Sequence, residues 1–234
     1  MARRKFLFLY LTTGAGHIST ARVLKEHILK QNPDSEIVMV NGFDRKNFFG
    51  KAMFEHGYFI ATNALHGAFS LIYDITMHRA AVTFFGAILR SHTTRYLKKV
   101  IERENPTDIV SFHFALSTFA KSAILRSGKK INLTVMVTDP FTTPTAWFWD
   151  RRLDYFVYSE EAKQFALMQK IPERQITIVP FVLGEKYTIP FDKDDIAALR
   201  KKHGFEQDKK VVLLVGGGDG IPGAVEIITK CVAR

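Results

Sequence analysis

The chain has 234 residues, 47% hydrophobic and 12% aromatic with 20 Phe, which is ample for a buried core. Its formal charge of +10 points to an anionic partner: a nucleic acid, an acidic lipid surface or a phosphorylated substrate. A single cysteine, Cys231, excludes an internal disulfide and a cysteine-based metal cluster, and no run approaches the ~20 apolar residues of a membrane span. The N-terminus, MARRKFLFLYLTTGAGH, starts basic and turns apolar, but the run is too short for a signal peptide and no small-residue cleavage site follows. It reads as the first strand of a cytoplasmic protein.

Residues 5–11 form a short apolar run bounded by small residues, the pattern of a buried strand. A turn with Gly14 and Gly16 follows, then a helix from Ile18 to about Gln31 with Ile18, Ala21, Leu24 and Ile28 on one face. Small residues between strand and helix let the backbone approach a ligand, and free N–H groups at the helix start favour an anion such as phosphate. His17 sits at that mouth, where it can donate to a phosphate or act as a base. The loop lacks both the GxGxxG spacing (the third residue after Gly16 is Ser19) and the GK[ST] of a P-loop. Spacing alone therefore leaves an ordinary tight turn with a capping histidine equally open.

Residues 36–40 (EIVMV) are a second strand, so the opening is a βαβ unit and implies a parallel sheet. Residues 41–44 then lie at the carboxyl end of strand two, which makes Asp44 a weaker site candidate. Residues 45–103 contain no good strand. Phe48, Phe54, Tyr58, Phe69 and Phe84 recur with other apolar residues at helical spacing, among Arg45, Lys51, Arg79, Arg90, Arg95 and Lys98. Basic, aromatic-rich amphipathic helices suit contact with an anionic membrane surface; helices that only cover the sheet would show the same apolar face. The mix also suits nucleic acid, but there is no helix-turn-helix, RNP-like strand or zinc module, so nucleic acid is not expected as a partner.

The next strand, 109–112, ends at His113; a helix over 117–126 is closed by Gly128; strand 133–137 ends in Thr138, Asp139 and Pro140. The loop of residues 14–17, His113 and Asp139 thus stand at the carboxyl ends of three parallel strands, where they can converge. Singly, His113 reads as structural and Asp139 as a turn cap. Residues 141–150, FTTPTAWFWD, are irregular, and their aromatic triplet is either folded under the sheet or a substrate wall. A strand at 155–158, a helix capped by Ser159 and a strand at 176–179 complete this part.

Residues 183–208 read as a linker with an exposed helix over 192–203. Residues 211–215 (VVLLV) are expected to be a buried strand, 216–220 a glycine loop and 222–233 a helix. This copies the opening unit, and one strand with one helix cannot build a covered sheet, so the chain is expected to be truncated at the start of a second α/β domain; the alternative is that the unit adds one more parallel strand to the first sheet.

Five stretches together resemble the diacylglycerol glucosyltransferase and monogalactosyldiacylglycerol synthase family, MurG-like glycosyltransferases of the GT-B type. TTGAGHISTA (residues 12–21) is similar to the family's GGGH-x-x-x-A opening, with Ala15 for a glycine. PTDIVSFHFAL (106–116) resembles its strand ending in His-Pro, here His113-Phe114. VTDPFTTPTAWFWD (137–150) and YFVYSEEAKQFAL (155–167) resemble the segments that follow, and VVLLVGGGDGIPG (211–223) resembles the loop opening the C-terminal domain, with Asp219 for Glu. The resemblance implies a Rossmann-like acceptor and membrane-binding domain over 1–182, a linker over 183–208 and an incomplete nucleotide-sugar-binding domain over 209–234. It implies transfer of a hexose from a UDP-sugar to diacylglycerol on the cytoplasmic face of an anionic membrane, or an inactive lipid- or nucleotide-binding remnant. His17 would be the base at the acceptor hydroxyl and Asp139 would orient it or contact the acceptor. Gly14, Gly16 and His113 would line the acceptor side, and Gly216, Gly217, Gly218 and Asp219 would face the donor diphosphate. No metal or cofactor is expected, since the UDP-sugar is a substrate.

Overall fold

The computed structural model describes residues 4–12, 16–43, 79–215, 221 and 223–232, with side chains in the helix from residue 79 described from Arg90 onward. Gly14, Asp44, Gly216, Gly217, Gly218, Asp219 and most of the basic aromatic segment lie outside the described residues. The chain divides into two compact units, Met1–Val182 and Leu183–Arg234.

The first unit is an α/β domain built on one six-stranded sheet. In chain order it runs β1 (Lys5–Tyr10), α1 (Gly16–Gln31), β2 (Glu36–Asn41), α2 (Arg79–Glu104), β3 (Asp108–Ser111), α3 (Phe114–Ser127), β4 (Asn132–Met136), β5 (Asp154–Val157), α4 (Glu160–Met168) and β6 (Ile176–Ile178). The strand order is β2-β1-β3-β4-β5-β6 and every pairing is parallel. β1 is an interior strand, second in the order and covered on both faces, which is why its sequence is a continuous apolar run. Its side chains alternate: Leu7 and Leu9 join a core with Leu97, Ile101, Leu116 and Phe119 of α2 and α3, while Phe8 joins a core with Ala21 of α1, Ile37 and Phe112.

Local signals set the element ends. Gly128 takes a left-handed φ of 69° after α3, a conformation that costs glycine little. The Ser159 hydroxyl accepts from the Ala162 N–H and caps α4, and it also donates to the Pro140 carbonyl, tying the loop after β4 to the start of that helix. At the amino edge of the sheet Asp108 is buried. Burial pushes its carboxyl up, and hydrogen bonds from Arg4, Asn132 and Thr107 outweigh that and hold it below the usual carboxylate range.

One buried hydroxyl is left over. Thr94 of α2 is fully buried, and its Oγ1 has no hydrogen-bond partner among the described residues. An unmet buried hydroxyl costs about 1–3 kcal/mol, and valine has the same shape without it. Thr94→Val is therefore expected to raise the urea midpoint of unfolding, by about 1 kcal/mol of stability.

The second unit holds α5 (Lys193–Lys202), with a capping box between Asp192 and Asp195, and α6 (Ala224–Val232). The expected buried strand at 211–215 is corrected here: those residues are irregular and exposed, Val212 by 77% and Leu213 by 81%. An apolar pentapeptide becomes a buried strand only when neighbours pair with its backbone and cover its faces, and among the described residues none does.

Candidate functional site

The strand order reverses at β1, whose neighbours β2 and β3 lead away to opposite sides. The connections that leave β1 and β3 therefore diverge at their carboxyl ends and open a crevice, the usual ligand position in an open α/β sheet. His17 enters this crevice from the first turn of α1 and His113 from the end of β3. Their rings lie 4.6 Å apart, tilted by 56°. Gly16 opens α1, and a Cβ there would meet nothing within 4 Å.

The two histidines have different tasks. His113 is 2% exposed and is the N-cap of α3, its Nδ1 accepting from the Ala115 N–H at 3.1 Å. An acceptor Nδ1 fixes the proton of the neutral ring on Nε2. Burial, and next the nearby His17, hold its pKa well below 6.5. His17 is only half-buried as a residue, so a ligand can reach it. Burial of its ring lowers its pKa as well, while the Asp139 charge and the Phe112 carbonyl draw it partly back. Its place at a helix N-terminus works in the same direction as burial, because the helix dipole disfavours a cation there. His17 is thus a neutral imidazole near pH 7.

From the end of β4 come Thr138 and Asp139, both half-buried. Thr138 Oγ1 lies 2.9 Å from His17 Nδ1. Asp139 does not hold the His17 ring by a hydrogen bond. Its Oδ2 accepts from the Trp147 indole N–H at 2.6 Å, so it acts on His17 through its charge and through the tryptophan. Trp147 lies in a 3-10 turn, Thr145–Phe148, whose residues are all buried. Residues 143–148 of FTTPTAWFWD are therefore folded under, while Phe141 at its start is 59% exposed; the Trp147 ring lies 6.0 Å from that of His17 and 6.4 Å from that of His113.

The structure thus brings together His17, Gly16, His113 and Asp139 as expected from the strand ends. It adds Thr138 and Trp147, which sequence reasoning did not single out as site residues. The signals were present: Thr138 directly precedes Asp139, and Trp147 belongs to the aromatic triplet. Their partners depend on how the loop after β4 folds back, which no local pattern specifies. A half-buried neutral imidazole beside a carboxylate and a hydroxyl can take a proton from a ligand hydroxyl. Among the described residues no group of three His, Cys, Asp or Glu side chains is arranged to hold a metal ion.

The family model for monogalactosyldiacylglycerol (MGDG) synthase matches residues 17–180, from His17 to just past β6. The chain belongs to the MGDG synthase family. Curated relatives carrying that name include "Probable monogalactosyldiacylglycerol synthase, chloroplastic" from Glycine max, 26% identical over 97% of this chain and 43% of the relative. The Nicotiana tabacum protein of the same description is 24% identical over 97% of this chain and 42% of its own length. The chain spans about two-fifths of the length of these curated MGDG synthases. Among solved structures, "lipopolysaccharide outer core galactosyltransferase WaaB apo form" is similar over 75% of this chain and 45% of that one, at 14% identity and a TM-score of 0.45. The stretch shared with the MGDG synthase family contains every residue of the cluster around His17 except Gly16, which immediately precedes it.

Proposed function

We propose that this chain carries the acceptor site of a glycosyltransferase that moves a hexose from a UDP-sugar to the hydroxyl of diacylglycerol at a membrane surface. The observation that carries the reading is His17: a neutral, reachable imidazole in the switch-point crevice, within the stretch that matches the MGDG synthase family. In the transfer, the acceptor oxygen forms a bond to the anomeric carbon, and the bond from that carbon to the diphosphate breaks with its electron pair leaving on UDP. His17 takes the proton that the acceptor hydroxyl loses. The glycine loop over 216–219 is the proposed contact of the donor diphosphate, by resemblance. The charge of +10 suits an anionic bilayer. Among the described residues no helix is long and apolar enough to cross a membrane.

The alternative reading is a lipid-binding module without transfer activity. Incubating the protein with UDP-galactose or UDP-glucose and diacylglycerol in anionic liposomes separates the two. Glycolipid that depends on His17 supports the transferase, with His17→Ala expected to lower the rate about 10²–10⁴-fold, the usual worth of a general base. Diacylglycerol binding with no glycolipid supports the module. Undiminished transfer by His17→Ala would remove His17 from the mechanism.

A further inference from the structure

A neutral imidazole carries one N–H and one lone pair, and the partner of one nitrogen decides which chemistry the other can do. Four side chains surround the His17 ring, and the Phe112 carbonyl, which can only accept a ring N–H, also faces it. The His113 ring packs against it at 4.6 Å, and its Nδ1 is committed to the cap of α3. Trp147 offers its ring, while its N–H is used on Asp139. Asp139 receives that N–H, although it is the nearest negative charge to His17. Thr138 alone among the described side chains forms a hydrogen bond with the His17 ring, at Nδ1 and 2.9 Å.

We propose that Thr138 is the positioning residue of His17: its hydroxyl oxygen accepts the Nδ1 proton and leaves the Nε2 lone pair for the acceptor hydroxyl. The assignment of direction rests on the reading of His17 as a base. A Thr138 hydroxyl that donated to Nδ1 would put the proton on Nε2 and leave the ring no lone pair for substrate. The oxygen is held by the sheet, since Val137, the residue before it, still donates its N–H to the Phe156 carbonyl at 2.9 Å. A β-branched threonine, stiff at χ1, carries that constraint to the hydroxyl. Asp139 then has a separate task. It fixes Trp147, and the Trp147 ring walls one side of His17.

The test is the protonation pattern of His17 in the whole 234-residue chain, read by nitrogen-15 NMR of labelled histidine well above the ordinary histidine pKa of 6.5. The wild type is expected to carry its proton on Nδ1, and Thr138→Ser is expected to keep it there. Thr138→Val is expected to shift the ring toward the Nε2–H form and to lower its titration midpoint, with the tryptophan fluorescence of the chain unchanged. Thr138→Ala serves as a second hydroxyl-free variant if valine disturbs the strand end. A wild-type ring protonated on Nε2, or a pattern that neither hydroxyl-free variant moves, would overturn the proposal. This readout needs no catalysis, so it fails independently of the transfer assay on His17→Ala.

Discussion

Trp147→Ala is expected to destabilise the sheet-bearing unit by about 3–5 kcal/mol, the range for truncating a buried aromatic. Trp147 is 0% exposed and packs edge-on against Phe114 at 5.7 Å between ring centroids. Its loss leaves a cavity under the crevice, and it strips the Asp139 carboxylate of its indole donor. Domains of this kind have only about 5–15 kcal/mol in total, so the change is a large share. Trp147→Phe separates the two contributions, because it fills most of the space and removes only the N–H. It is expected to cost about 1–3 kcal/mol, the worth of a buried polar group left unmatched. Urea unfolding followed by circular dichroism reads both variants, and a double-mutant cycle with Asp139→Ala should show a coupling above about 0.5 kcal/mol. A loss below 1 kcal/mol for Trp147→Ala would mean that the tryptophan does not organise this edge of the sheet.

The second large effect is acid sensitivity in the histidine range. His17 and His113 both have pKa values held below 6.5 in the folded protein, chiefly by burial. Just below pH 6.5 the unfolded chain therefore binds more protons than the folded one, and stability rises with pH there. Acidification from neutral pH is expected to cost up to about 1.4 kcal/mol per pH unit for each histidine, until its folded-state pKa is passed. Asp108 and Asp150 also have lowered pKa values, and their contributions disappear only at more acidic pH, so the two windows are distinct. Protonating His113 on Nδ1 would also cost α3 its cap. His113→Asn keeps a capping oxygen but cannot titrate, and it is expected to remove the larger part of the slope below pH 6.5, because His113 is shifted further than His17. A urea midpoint that stays flat over that window in the wild type would contradict the burial of both rings.

Much of this was readable in the chain. The apolar run of β1 marked a strand covered on both faces, and three strands ending in a glycine loop with His17, in His113 and in Asp139 marked one sheet edge. Parallel pairing then forces those ends together, which is why residues up to 122 positions apart converge. Partners were less readable. Asp139 was expected to orient His17, yet its carboxylate holds Trp147, and the residue before it takes the histidine nitrogen. A loop that folds back places neighbouring side chains on opposite tasks, and only its tertiary path decides which is which. Residues 211–215 fail for a related reason: β propensity describes a strand once neighbours exist, and does not supply them.

Which ligand enters the His17 crevice decides between an acceptor site and a donor site. The most direct measurement is an NMR titration of the His17 ring with a short-chain diacylglycerol in anionic bicelles, run beside a titration with UDP-galactose. An acceptor site at His17 predicts saturable shifts of His17 and Thr138 with diacylglycerol that His113, whose Nδ1 caps α3, follows only weakly. Shifts of His17 with UDP-galactose and none with diacylglycerol would contradict it.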